Sequence, residues 1–165
     1  MTPADYLADA RRTINPALSP RDRLWESAVG MATEAAELLG AETDHKRVKE
    51  LGDVCWYIAS FCDVTGTDFG VIWKAPPLMP FSVTVSARDV VVTAGMLADH
   101  IKKHLTQGHD LSQSPYLLAL ISAVKGEAWR LNRDIGQIFA ANVAKRARRY
   151  PDGFTSAASV GRKEI

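Results

Sequence analysis

Two pairs of acidic residues occupy consecutive predicted helices: Glu34 with Glu37, and Glu50 with Asp53. Within each pair the spacing is i, i+3, which places both carboxylates on one helix face, about one turn apart. Twelve residues separate Glu37 from Glu50, enough for a helix end, a turn and a return. The two faces can therefore meet, and each contact between like charges at ~4 Å would cost on the order of 4 kcal/mol. Mg²⁺, with Mn²⁺ as a substitute, prefers such oxygen ligands together with phosphates, so the pattern predicts a metal site.

The composition is that of an ordinary globular domain. The chain has 165 residues, of which 47% are hydrophobic, enough to form a buried core. The net charge of +1 favours neither a nucleic-acid partner nor a membrane partner. A signal-peptide pattern and a long apolar run are both absent, which predicts a cytoplasmic protein. Cys55 and Cys62 are seven residues apart on one predicted helix, too far for a disulfide, and we expect buried free thiols.

Hydrophobic periodicity predicts an all-α fold. Ser19 and Pro20 mark a helix start, because a serine N-cap commonly precedes a proline at the first helical position. Residues 74–85 contain three prolines and a short strand-like alternation at 81–85, and are predicted to form an extended connector. Residues 155–165 are predicted to be a flexible tail. The predicted helices cover residues 3–13, 20–40, about 46–65, 86–105, a segment from 115 onward, and 134–149.

Several features allow more than one interpretation. Acidic pairs are common on solvated helix faces, and the basic run from Lys145 to Arg149 is also typical of an exposed helix end. Glu42 and His45 match the spacing of a di-iron ligand pair, but they lie in a predicted turn without a second such pair. His100 and His104 have a spacing that can bind a transition metal, but they are more typical of helix-surface residues or of residues that help to hold phosphate.

A set of motifs gives the chain a family resemblance. Glu34-Ala35-Ala36-Glu37-Leu38 is followed by Glu50-Leu51-Gly52-Asp53-Val54 and then by Trp56-Tyr57. Near the end, Asn142-Val143-Ala144-Lys145 precedes Arg149-Tyr150-Pro151-Asp152-Gly153-Phe154. In this combination the sequence resembles the MazG-like, all-α nucleoside triphosphate pyrophosphohydrolases.

The resemblance implies a MazG-like helical bundle that hydrolyses nucleoside triphosphates, with deoxynucleotides favoured, to a monophosphate and pyrophosphate. The four acids would hold Mg²⁺, and Glu34 or Glu37 would activate the water. Asn142, Lys145 and Arg149 form one stripe of the last helix and suit phosphate oxygens. Lys102 and Lys103 are further phosphate candidates, and Tyr150 is expected either to pack the end of the last helix or to contact the nucleotide. Trp25 and Trp56 could stack on a base or belong to the core.

One departure from the family pattern suggests an internal tandem duplication. Nearly ninety residues separate Asp53 from Asn142, and the segment between them resembles a second copy of the unit. Thr93 and Met96 stand where the first acidic pair would be, and Tyr116 and Ala119 stand where the second would be. We therefore expect a half with acidic metal motifs at 1–73 and a degenerate half with basic residues at 86–154. Together they would form a four-helix core with extra helices and one active site.

Two functional classes remain open from the sequence. The first is a nucleotide pyrophosphohydrolase that cleanses or adjusts a nucleotide pool. The second is a non-catalytic nucleotide-binding or regulatory protein that retains the fold. The four retained acids favour catalysis, because a binding protein has little need for repelling carboxylates. The preferred base is not specified, and neither is the choice between a monomer and a homodimer of tandem chains.

Overall fold

The computed structural model describes residues 1–76, 85–111 and 115–161, and within them all regular secondary structure is α-helical. The all-α prediction is confirmed. Most predicted helices begin and end within about two residues of their observed bounds. The helices are α1 (Pro3–Thr13), α2 (Pro20–Gly40), α3 (Asp44–Thr65), α4 (Phe69–Lys74), α5 (Ala87–Gln107), α6 (Pro115–Arg130), α7 (Ile135–Arg149) and α8 (Ser156–Val160).

Side-chain caps fix the ends of the helices that carry the acidic pairs. The Ser19 hydroxyl accepts a hydrogen bond from the Asp22 amide, so α2 begins at Pro20 as predicted. The Thr43 hydroxyl accepts from the Lys46 amide and starts α3 slightly earlier than predicted. Gly66 ends α3 with φ at 70°, a left-handed conformation that glycine adopts without steric cost.

Four helices enclose the main core. α2 packs against α3 and α5, α5 packs against α6, and α6 returns to α3, which closes the ring. Cys55 and Cys62 are buried and free in this core, as expected. The largest fully buried aliphatic side chains of the ring are Met31, Leu38, Leu51, Ile58, Leu97, Ile101 and Leu120.

Outside this ring, α1 and α7 pack on each other and on α3. The Tyr6 ring of α1 stacks on the Phe139 ring of α7 with centroids 4.1 Å apart. Phe69 and Trp73 of α4 also contact Phe139, with centroid distances of 5.9 and 5.2 Å. This aromatic cluster joins α7 to α1 and α4, and both of these helices also pack on α3, where two of the acidic residues lie.

Two segments differ from expectation. The sequence did not predict α4, a short helix whose Asp68 side chain caps the Val71 amide. The predicted tail contains α8, a five-residue helix without buried residues. Most of the predicted connector, including the strand-like stretch 81–84, lies outside the described residues. None of the described helices combines the length and apolar character needed to cross a membrane.

Candidate functional site

An open cavity of about 870 Å³ lies between α2, α3 and α7. The four predicted acids of α2 and α3 line this cavity together with basic residues of α3 and α7 and with several aromatic side chains. The charged and aromatic lining includes Glu34, Glu37, Glu50, Asp53, Lys46, Lys49, Lys145, Arg148, Arg149, Trp56, Tyr57, Tyr150 and Phe154.

Three of the four predicted acids converge. Glu34, Glu50 and Asp53 each offer a carboxylate oxygen, and these oxygens lie within 4.8 Å of one another. Glu37 lines the same cavity but lies outside this group, on an exposed part of α2. The donor set is entirely anionic oxygen, which fits a hard divalent cation such as Mg²⁺.

Burial and mutual charge repulsion both act on the carboxyl groups of the acidic group formed by Glu34, Glu50 and Asp53. Burial, followed by the charges of Asp53, Glu37 and Glu50, raises the pKa of Glu34 to about 7. The pKa of Glu50 is also raised, first by burial and then by the charge of Asp53. Both shifts show that the protein disfavours full ionisation of this group, and a bound cation would reverse that preference.

Asp53 joins α3 to α7. The side-chain amide of Asn142 donates to one Asp53 oxygen at 2.7 Å, and the Lys145 ammonium forms an ion pair with the other. The Tyr6 hydroxyl donates to the Asn142 side-chain oxygen at 2.8 Å and lies 3.2 Å from the Gly52 carbonyl oxygen. Asn142 is therefore buried and fully oriented, and it positions Asp53 rather than facing the open cavity.

The close approach of α7 to α3 requires the glycine beside Asp53. A Cβ atom built on Gly52 would lie 2.8 Å from the Cβ of Asn142, closer than side chains tolerate. The glycine in the Glu-Leu-Gly-Asp motif thus has a packing role. It lets the α7 backbone come near enough for Asn142 and Lys145 to reach Asp53.

A second network holds the next turn of α7. The buried Arg146 guanidinium forms an ion pair with Asp9 at 2.7 Å and approaches the Thr13 hydroxyl at 3.4 Å. The Trp56 indole N–H donates to that same hydroxyl at 2.9 Å. Trp56 is thus fixed by α1 and packs partly on the core, while it also lines the cavity.

The remaining predicted phosphate contacts divide into two groups. Arg149 lines the cavity and its guanidinium lies 6.0 Å from the centroid of the Tyr150 ring. Tyr150 is itself mostly buried at the end of α7. Lys102 and Lys103 instead form ion pairs with Asp99 on α5, and neither lines the cavity. The structure does not bring these two lysines to the acidic group.

The alternative metal ligands remain apart. His45 lines the cavity, whereas Glu42 is exposed in the loop between α2 and α3. The His104 Nδ1 atom lies 2.6 Å from the backbone oxygen of His109. Within the described ranges, His100 and His104 join no group of three candidate metal ligands. Trp25, the other candidate for base stacking, is half exposed on α2 and does not line the cavity.

Sequence patterns missed several residues that build the site. Tyr6, Asp9 and Thr13 lie on α1, far along the chain from the motifs they support. Arg146 follows Asn142 by four residues, so helical spacing could have placed it on the same face. Lys46 and Lys49 line the cavity from the first turns of α3, and their i, i+3 spacing was a comparable signal.

Comparisons with protein-family models, curated proteins and solved structures find no match to this chain.

Proposed function

We propose that this protein is a Mg²⁺-dependent nucleoside triphosphate pyrophosphohydrolase of the MazG-like type. The observation that carries the proposal is the cavity that combines Glu34, Glu50 and Asp53 with the basic residues Lys145 and Arg149. Carboxylates that can hold a divalent cation, with basic side chains beside them, suit a polyphosphate bound together with that cation. The motif resemblance supports the same function and adds the triphosphate as the substrate class.

The carboxylates of Glu34, Glu50 and Asp53 are the residues that would hold the cation, with Glu37 as a further candidate ligand. Mg²⁺ bound there would neutralise charge on the triphosphate and on the three carboxylates. The raised pKa values of Glu34 and Glu50 agree with this assignment, because a divalent cation would offset both the burial and the charge repulsion that raise them.

Basic side chains of α7 bind the phosphates in this proposal. Lys145, now paired with Asp53, is placed to exchange that carboxylate for a phosphate oxygen. Arg149 lies one turn further along the helix, and its planar guanidinium can hold two oxygens at once. Asn142 acts as a positioning residue for Asp53, which revises its predicted role as a phosphate ligand.

The reaction requires a base for the attacking water. The water oxygen forms a bond to the α-phosphorus, the bond from that phosphorus to the bridging oxygen breaks, and pyrophosphate leaves. Glu34 is half-buried on the cavity wall and is the first candidate to accept the water proton. Glu37 lies one turn further on α2 and is the second candidate for this role.

The tandem duplication is also part of the proposal. It is supported by two helix pairs, α2 with α3 and α5 with α6, which pack side by side into one core. The first pair carries the acidic group. At the corresponding positions of the second pair, Thr93 and Met96 offer no carboxylate.

The test is pyrophosphate release from a panel of NTPs and dNTPs, measured with Mg²⁺ and with EDTA. We expect release that EDTA abolishes and that Glu50→Gln lowers by at least about 100-fold. Glu42→Gln is the matched control, because Glu42 is exposed and lies off the cavity. Binding of nucleotide without release from any substrate would instead indicate a non-catalytic nucleotide-binding protein.

A further inference from the structure

A fifth carboxylate, Glu26, also lines the cavity, and the proposed function gives it no role. Its Oε2 atom is buried and has no hydrogen-bond partner among the described residues. A buried carboxylate oxygen without a donor is costly, and such atoms are uncommon in folded proteins. Because the Glu26 side chain also lines the cavity, a ligand bound there can supply the donor that this carboxyl group lacks.

The nearest cation on the same helix does not provide that donor. Arg23 precedes Glu26 by one turn, and its charge acts on the Glu26 carboxyl. However, one terminal nitrogen of the Arg23 guanidinium donates to Asp63 at 2.7 Å and to the Ser60 carbonyl at 3.5 Å, and its buried Nε donates to none of the described residues. Burial raises the pKa of Glu26 despite Arg23, as expected for a carboxylate without a hydrogen-bond donor.

Glu26 lies at the distance from the acidic group that the base of a nucleotide would have if its phosphates were bound at that group. Glu26, Gly30 and Glu34 follow one another at i, i+4 and i+8 on one face of α2, so Glu26 lies about 12 Å along the helix from the acidic group. Between them the Tyr57 ring packs on Gly30, where an added Cβ would lie 2.2 Å from the ring. Trp56 contacts the same ring edge-on, with centroids 4.8 Å apart.

We propose that Glu26 is a specificity-determining residue that accepts a hydrogen bond from the exocyclic amino group of a nucleobase. This inference rests on the proposed function, in which the phosphates lie at Glu34, Glu50 and Asp53. Tyr57 and Trp56 then flank the sugar and base, and the base edge reaches Glu26. A carboxylate only accepts hydrogen bonds, so a base with an amino group on that edge is favoured. A base with a carbonyl oxygen there directs lone pairs at the carboxylate and is disfavoured.

Binding of non-hydrolysable analogues tests this inference without requiring turnover. Triphosphates with an imido group between the α- and β-phosphorus are titrated calorimetrically in Mg²⁺. The cytosine and uracil deoxynucleotides form one pair, and the adenine and hypoxanthine deoxynucleotides form the other. We expect the amino-bearing member of at least one pair to bind about 10- to 100-fold more tightly. The pair that shows the preference identifies the ring as a pyrimidine or a purine.

Glu26→Gln is the decisive variant, because its amide both donates and accepts and so tolerates a carbonyl oxygen. We expect its preference within the pair to narrow to about threefold or less, mainly through tighter binding of the oxo base. Glu42→Gln should retain the full preference, and circular dichroism checks that both variants fold. Equal binding within both pairs, a preference for the oxo base, an unchanged ratio in Glu26→Gln or no analogue binding would each overturn the inference. Pyrophosphate release is scored separately, so failure of catalysis does not decide the result.

Discussion

Two aspartates of this protein, Asp99 and Asp53, form ion pairs with lysines in different surroundings. On α5, Asp99 pairs with Lys102 and Lys103, all on one helix surface, with the side chains 42–50% exposed. In the cavity, Asp53 of α3 pairs with Lys145 of α7, and these side chains are only 18% and 21% exposed. The contacts of Asp99 are local, whereas the contact of Asp53 joins two residues that are 92 positions apart in the sequence.

The charge balance around the two aspartates also differs. Asp99 has two cations and its pKa is lowered to about 2, chiefly by hydrogen bonds from Lys102 and Lys103. Asp53 has one lysine and two further carboxylates within reach, and its charge helps raise the pKa of Glu34. A surface ion pair of the first kind contributes little, typically under about 1 kcal/mol. The unbalanced group of the second kind is better explained by a ligand that supplies positive charge.

The largest expected difference is in catalytic activity, when the charge of either Asp53 or Asp99 is removed by substitution with asparagine. Asp53→Asn keeps the side-chain shape but removes one ligand charge, so we expect Mg²⁺-dependent pyrophosphate release to fall by about 1,000-fold or more. Asp99→Asn removes an exposed charge on α5 and should leave release within about twofold of the original. Steady-state kinetics on both variants measure this. Equal losses would contradict the assignment of the site to the α2, α3 and α7 cavity.

A smaller effect is expected from adding one methyl group near each aspartate. In Gly52→Ala the new Cβ meets Asn142 at 2.8 Å, which forces α7 away from α3. We expect a loss of about 1–3 kcal/mol in the free energy of unfolding, together with reduced activity. Gly95→Ala on α5 has no atom within 4 Å of the new Cβ, and should gain roughly 0.5–1 kcal/mol from helix propensity. Urea denaturation of both variants tests this, and a neutral Gly52→Ala would mean that the close approach is not needed.

The features of the fold and of the candidate site that depend on local sequence patterns could be predicted from the sequence. The i, i+3 acids of α2 and α3 were placed on facing surfaces because helical spacing and the length of the intervening loop determine that arrangement. The fold class followed from hydrophobic periodicity. The start of α2 after Ser19 was predicted because this side chain accepts from a backbone amide within the same turn, whereas Thr43 caps α3 slightly before its predicted start.

The parts that could not be predicted depend on contacts between distant segments. Lys102 and Lys145 are both helix lysines with an acid in reach, and only packing decides which of them faces the cavity. The roles of Tyr6 and Thr13 depend on how α1 lies across α3 and α7, which no local pattern specifies. The burial of the Glu26 oxygen likewise results from the packing of its surroundings.

The smallest effect that we predict is a pH dependence confined to the cavity. The pKa of Glu34 is raised from 4.5 to about 7, so this carboxyl holds a proton in the metal-free protein at pH 6. Mg²⁺ must displace that proton, and its affinity should therefore rise about tenfold between pH 6 and pH 8. Asp99→Asn should show the same rise, because the pKa of Asp99 lies far below this range.

The same shift predicts the sign of a stability change. Because the folded state holds the Glu34 proton to higher pH than the unfolded state does, the free energy of unfolding without Mg²⁺ should fall as pH rises from about 4.5 to about 7. Glu34→Gln should flatten this decline and weaken the pH dependence of Mg²⁺ binding, with a residual slope from Glu50, whose pKa is also raised. Calorimetric Mg²⁺ titrations and denaturation at pH 5, 6, 7 and 8 measure both quantities. A Mg²⁺ affinity that is independent of pH would show that these carboxylates are already ionised, and the contrast with Asp99 would then be one of geometry alone.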